Sequence, residues 1–158
     1  MKKFIVALHV VLDDVTEEHF SSRMASAGFT AVHISAGPGQ EEELDKIASE
    51  SPGCIILTSG IVLTAALLDS MKYRHVDAVI AINPLWNDSL KPLLSRVETS
   101  LIIFTDAPDL SNVRMQAMKF HDRVAGSRIH YLRSDAIRTM LEHPDRIIKS
   151  LEETLDAK

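Results

Sequence analysis

The sequence predicts a single α/β domain built on a doubly wound, mostly parallel six-stranded sheet with helices on both faces. Three observations carry this expectation. Six short apolar runs, at 4–11, 30–34, 54–58, 78–82, 101–105 and 128–132, alternate with amphipathic or polar segments. Their apolar character is continuous rather than alternating, as in parallel strands buried on both faces. The 158 residues contain no internal repeat, low-complexity tract or long linker, which fits one domain spanning 1–158.

The intervening segments carry helix signals. Thr16 is placed to cap a helix over 17–27, and Gly28 to stop it. Segment 41–50 opens with acidic residues, which suit the positive end of a helix dipole. Segment 61–73 is almost wholly apolar and should form the most buried helix. Segment 89–97 is short and contains Pro92, tolerated only in a first turn. A helix over 112–124 stops ahead of Gly126, and 144–155 closes the chain with Pro144 in a first-turn position. Right-handed crossovers then gather the loops at 13–15, 35–39, 59–60, 83–88, 106–111 and 133–137 beyond the carboxyl ends of the strands, where such sheets bind ligands.

Composition narrows the function. A hydrophobic fraction of 46% and a charged fraction of 25% are those of a globular protein. The formal net charge is −5 and the 17 Lys and Arg are scattered, so no nucleic-acid partner is expected. The single cysteine, Cys54, excludes an intrachain disulfide and a CxxC metal site. The start, MKKFIVALHVVL, is similar to a short signal peptide. His9 interrupts it, Asp13 and Asp14 follow, and there is no small-residue cleavage site, so it reads as a first strand. No apolar run reaches membrane-spanning length, and a cytoplasmic protein is expected.

No cofactor or metal is expected either. The first strand is followed by VLDDVTEE, which lacks the glycines of a dinucleotide loop. Gly37-Pro38-Gly39 reads as a tight turn, because Pro38 has no amide to offer a phosphate. A phospho-acceptor reading of Asp13-Asp14 fails because Thr58-Ser59 and Thr105-Asp106 stand where an acceptor Asp and a Lys are needed. The seven histidines form no HxH or HExxH pattern.

Seven segments together carry a family likeness. Ala7-Leu8-His9-Val10 ends the first run, and Gly28-Phe29-Thr30-Ala31-Val32 follows the first helix. Ser35-Ala36-Gly37-Pro38-Gly39 follows the second run, and CIILTSGIVLTAALL spans the third run and its helix. DAVIAINP, LIIFTDAPD and LEHPD come later. In order and spacing these resemble the α/β-hydrolase superfamily over almost the whole chain. The resemblance implies a core without a lid, with Ser59 at the strand-to-helix elbow as nucleophile and Asp109 as acid, Asp106 being the alternative. It also implies a ligand site around His9, Val10, Gly60 and Trp86.

The departures fall on the chemistry. The G-x-S-x-G neighbours of Ser59 are Leu57 and Ile61, and taking Thr58 instead leaves Ile56 and Gly60. Where the family places its histidine, Arg133-Ser134-Asp135 stand, and no histidine lies between His130 and His143. Without a base a serine hydroxyl is a poor nucleophile. The expectation is therefore a hydrolase-like domain lacking the standard triad, which binds a small molecule or a protein partner. The alternative is a small esterase or thioesterase using Ser59, Asp109 and either His130 or His143. A third reading makes Trp86 the anchor of an interaction surface, including a homodimer.

Overall fold

The computed structural model describes residues 4–9, 14–33, 39, 42–43, 46–47, 53–59, 76–106, 112–133 and 136–156. Six strands form: β1 (Phe4–His9), β2 (Phe29–His33), β3 (Cys54–Ser59), β4 (Val76–Ile82), β5 (Ser100–Asp106) and β6 (Arg128–Leu132). They lie in one sheet of order β2-β1-β3-β4-β5-β6, and all five pairings are parallel. Winding changes direction between β2 and β3, so the switch point lies between the carboxyl ends of β1 and β3.

The helices are α1 (Asp14–Ser26), α2 (Lys91–Leu94), α3 (Asn112–Arg123), α4 (Ala136–Glu142) and α5 (Asp145–Asp156), with a 3-10 turn at Asp88–Leu90. The sheet separates two apolar layers, since neighbouring side chains on a strand point to opposite faces. On one face Ile55, Leu57, Ile80, Ile82, Ile102 and Phe104 pack beneath Phe20 and Met24 of α1, Met140 of α4, and Ile147 and Leu151 of α5. On the other, Ile56, Val79, Ala81, Leu101 and Ile103 pack beneath Leu94 of α2 and Ala117 and Phe120 of α3. Helices thus cover both faces, as the run pattern predicts. The inner strands β3, β4 and β5 are buried almost throughout, whereas the edge strands β2 and β6 are partly exposed.

Helix boundaries show where local signals hold. Gly28 ends α1 as expected. It adopts φ 89°, a left-handed conformation that glycine enters without Cβ strain, and its amide donates to the Ala25 carbonyl at 3.0 Å. At its other end α1 begins at Asp14, two residues before the expected Thr16 cap. The helix expected over 89–97 shrinks to the 3-10 turn and the four residues of α2, with Pro92 in its opening positions. Helix α4 occupies 136–142, where residues 133–137 read as loop in sequence. The last helix matches expectation to within a residue at each end. Of the expected helix 41–50, residues 42, 43, 46 and 47 are described and are helical. The expected helix 61–73, and residues 10 and 11 of the first run, lie outside the described residues.

Two polar contacts fasten the end of the chain to its first helix. His19 Nε2 donates to the Glu142 carbonyl at 2.9 Å, and Arg23 pairs with Asp145. Both are surface contacts, so docking rests mainly on the apolar layer beneath them.

Phe104 is fully buried at the centre of that layer. Phe104→Ala is expected to cost about 3–5 kcal/mol through lost transfer energy and an unfilled cavity. Urea unfolding checks this, and a loss below about 1 kcal/mol would contradict a close-packed layer at this point.

Candidate functional site at the carboxyl edge of the sheet

Strand register decides which side chains can meet. Ser59 is the last residue of β3 and is half-buried. It lies opposite Ile82, Ile82 opposite Phe104, and Phe104 opposite His130. Residues on one row of a parallel sheet project from the same face, and Ile82 and Phe104 fill the layer beneath α1, α4 and α5. Ser59 and His130 therefore mark the two ends of one row. Three strand spacings separate them, roughly 14 Å, far beyond the 2.6–3.2 Å reach of a general base.

His130 is also engaged where it stands. Its ring stacks on Phe104 with centroids 4.9 Å apart and planes at 20°, and its Nε2 is hydrogen-bonded to Ser150 Oγ at 3.3 Å. Burial holds its pKa below the ordinary histidine value. Nearby Arg128 and Arg146 act in the same direction, and Glu153 opposes them. Arg128 and Glu153 are themselves 3.4 Å apart.

The other histidines are placed as follows. His143 is exposed in the bend between α4 and α5, where its backbone amide donates to the Thr139 carbonyl at 2.9 Å. His121 Nδ1 lies 2.9 Å from Ser127 Oγ, and the Ser127 hydroxyl donates to the His121 carbonyl at 3.1 Å. His33 ends β2 and is exposed. His9 ends β1, with its backbone in register with Thr58 beside the switch point. No group of three or more His, Cys, Asp or Glu that could hold a metal occurs among the described residues.

Thr58, the alternative nucleophile, is fully buried and projects from the sheet face opposite Ser59. Its hydroxyl has no hydrogen-bond partner, so no base is positioned to activate it. Cys54, on the same strand, is held unreactive because burial, with Asp77 adding to it, pushes its thiol up to about 12.

Beyond β4 the backbone takes an unusual path that sequence reasoning missed. Asn83 has φ 47°, which is uncommon outside glycine. Its amide donates to the Phe104 carbonyl at 2.9 Å, and its Oδ1 accepts from the Asp106 amide at 3.1 Å. Asn83 thereby locks the carboxyl ends of β4 and β5 together and fixes the backbone of Asp106, the half-buried alternative acid. The available signal was the Asn83-Pro84 pair, a turn-forming dipeptide at the end of an apolar run.

Trp86 lies on the sheet face opposite the Ser59 row. Its ring meets Phe120 edge-on at 5.1 Å and is flanked by Arg123 at 4.8 Å and Lys119 at 5.8 Å, all from α3. Its Nε1 donates to Asp88 at 2.8 Å and its amide to Gln116 at 2.7 Å. The structure thus brings His9, Ser59, Asn83 and Asp106 to one edge, and sets Trp86 and His130 apart from Ser59. Val10, Gly60 and Asp109 lie outside the described residues.

The lowered His130 pKa has a stability consequence. The folded state disfavours the proton that an unfolded histidine accepts near pH 6.5. His130 therefore contributes stability that is fully present above about pH 6.5 and is lost as pH falls through the lowered folded value. In urea unfolding across this window, His130→Phe is expected to show a shallower loss toward acid than the wild type. Identical slopes would contradict the assignment.

No family model matches the sequence, and no curated protein matches it. Solved structures do. A metagenomic α/β-hydrolase from lagoon sediments of Mar Chica, Morocco, is 13% identical with a TM-score of 0.74, over 99% of this chain and 92% of that one. The esterase domain of a Rhodothermus marinus protein is 12% identical with a TM-score of 0.71, over 94% and 84%. A lipase-esterase related protein from Clostridium acetobutylicum is 6% identical with a TM-score of 0.70, over 97% and 95%. Identities this low speak of architecture alone. Sheet order, helix placement and these likenesses agree that the chain has the α/β-hydrolase fold.

Proposed function

We propose that this domain binds a small molecule or a protein partner at the carboxyl edge of its sheet, beside the switch point, without standard Ser-His-Asp hydrolysis. The observation that carries the reading is the commitment of His130. It stands at the far end of the Ser59 row, stacked on Phe104 and bonded to Ser150. The position after the last strand, where the fold usually presents its base, has Arg133-Ser134-Asp135. A serine without a base keeps an alcohol's high pKa and reacts slowly. Ser59 then acts as a polar contact at the edge, next to the His9 backbone and the braced Asn83–Asp106 pair.

A fluorophosphonate probe tests this, applied to wild type, Ser59→Ala and Thr58→Ala. All three proteins are expected to remain unlabelled while folded. Labelling of wild type and Thr58→Ala that disappears in Ser59→Ala would overturn the proposal and establish an activated serine hydrolase.

A further inference from the structure

Strand β4 ends at Ile82, and the hydrogen bonds of Asn83 show why. In a regular parallel ladder, a residue whose amide donates to the Phe104 carbonyl accepts the Asp106 amide on its own backbone carbonyl. Asn83 makes the first bond, at 2.9 Å. Its side chain makes the second, with the Asp106 amide donating to Oδ1 at 3.1 Å. The left-handed turn at φ 47° takes the Asn83 carbonyl out of the ladder, and the side-chain carbonyl stands in for it. Asparagine is one of the few residues besides glycine that enter this conformation readily.

This exchange leaves two groups over. With Oδ1 held by a backbone amide, the carboxamide has a fixed orientation, and the remaining Nδ2 is a donor only. The displaced backbone carbonyl is an acceptor. Among the described residues neither has a partner, and Asn83 is half-buried at the carboxyl edge. Ser59 is level with Ile82, the residue before Asn83. One strand spacing and one chain step separate Ser59 from Asn83, so their Cα atoms lie within roughly 9 Å. One small ligand can reach both side chains.

We propose that Asn83 is the recognition residue of this edge and that its ligand carries an uncharged primary carboxamide. The inference rests on the carboxyl edge being a ligand site. Nδ2 needs an acceptor and the Asn83 carbonyl needs a donor. Because both belong to one residue, the ligand must carry its acceptor and donor on one edge. A primary carboxamide does so. An ester or a carboxylate has no donor, an ammonium has no acceptor, and a trans main-chain amide holds the two on opposite edges.

Nitrogen-15 NMR of the full chain tests this, with benzamide, methyl benzoate or benzoate titrated to about 10 mM, since ligands of so few atoms bind in the millimolar range. The three probes share a ring and differ in the recognised group. Benzamide is expected to shift the Asn83 side-chain amide and to bind about tenfold more tightly than the other two. Asn83→Asp keeps an oxygen for the Asp106 amide but has no donor for the ligand. It should retain wild-type circular dichroism and bind benzamide about tenfold more weakly or worse. Asn83→Gly keeps the backbone conformation, lacks the side chain, and should lose the preference as well. N-acetylglutamine methylamide presents the same group as a protein partner's glutamine would. Tighter binding of it than of benzamide assigns the carboxamide to a protein, and the reverse to a small molecule. Either result supports the role of Asn83. Benzamide bound equally well by Asn83→Asp would reduce Asn83 to a brace and overturn the proposal, as would equal affinity for the three probes or no shift at Asn83. Probes that shift the Ser59 and His9 amides without any preference would leave the edge a ligand site and remove only the carboxamide assignment.

Discussion

The row Ser59–Ile82–Phe104–His130 is the constraint on which the carboxyl edge depends. Parallel pairing sets these four residues side by side on one face of the sheet. The two in the middle are fully buried, and α1, α4 and α5 close over them. A rotamer change cannot bridge three strands, so the ends of the row are chemically separate. His130 then serves the wall of the domain. It extends the apolar stack of Phe104 and satisfies Ser150, one of the few buried polar residues on α5. Its lowered pKa follows from that burial and its cationic neighbours, and calls for no catalytic explanation.

The edge nevertheless keeps structural features suited to recognition. Asn83 holds a left-handed conformation of the kind that persists only where surrounding contacts over-determine it. Its two hydrogen bonds join β4 to β5 just where the loops that line a ligand crevice begin. Ser59 stays half-exposed at the switch point while Thr58 and Cys54 are sealed below it. A rigid sheet with a polar, partly open rim holds the groups along that rim in fixed positions.

Much of this architecture was legible in the residues. Continuous apolar runs marked β3, β4 and β5 as buried strands, and the mixed run containing Arg128, His130 and Tyr131 became an exposed edge. Gly28 marked the end of α1 because its left-handed conformation leaves few alternatives. Helix α4 escaped notice because Arg133-Ser134-Asp135 carry turn signals that run straight into it, and its stability comes from Met140 packing in the core. The 89–97 segment was overextended because periodicity cannot show that Pro92 and a 3-10 turn leave room for one helical turn. At the site, sequence order suggested His130 as a base, but only strand register reveals its distance from Ser59. The bracing by Asn83 is a long-range effect, visible in sequence only as an Asn-Pro pair.

The most direct test of this account is an NMR titration of the histidine rings in wild type and Ser59→Ala. The account predicts that the His130 ring stays neutral to below the ordinary pKa and that its titration is unchanged by Ser59→Ala, because nothing couples the two ends of the row. A His130 titration that moves when Ser59 is removed would show the two side chains in contact, and would contradict the separation on which the account rests.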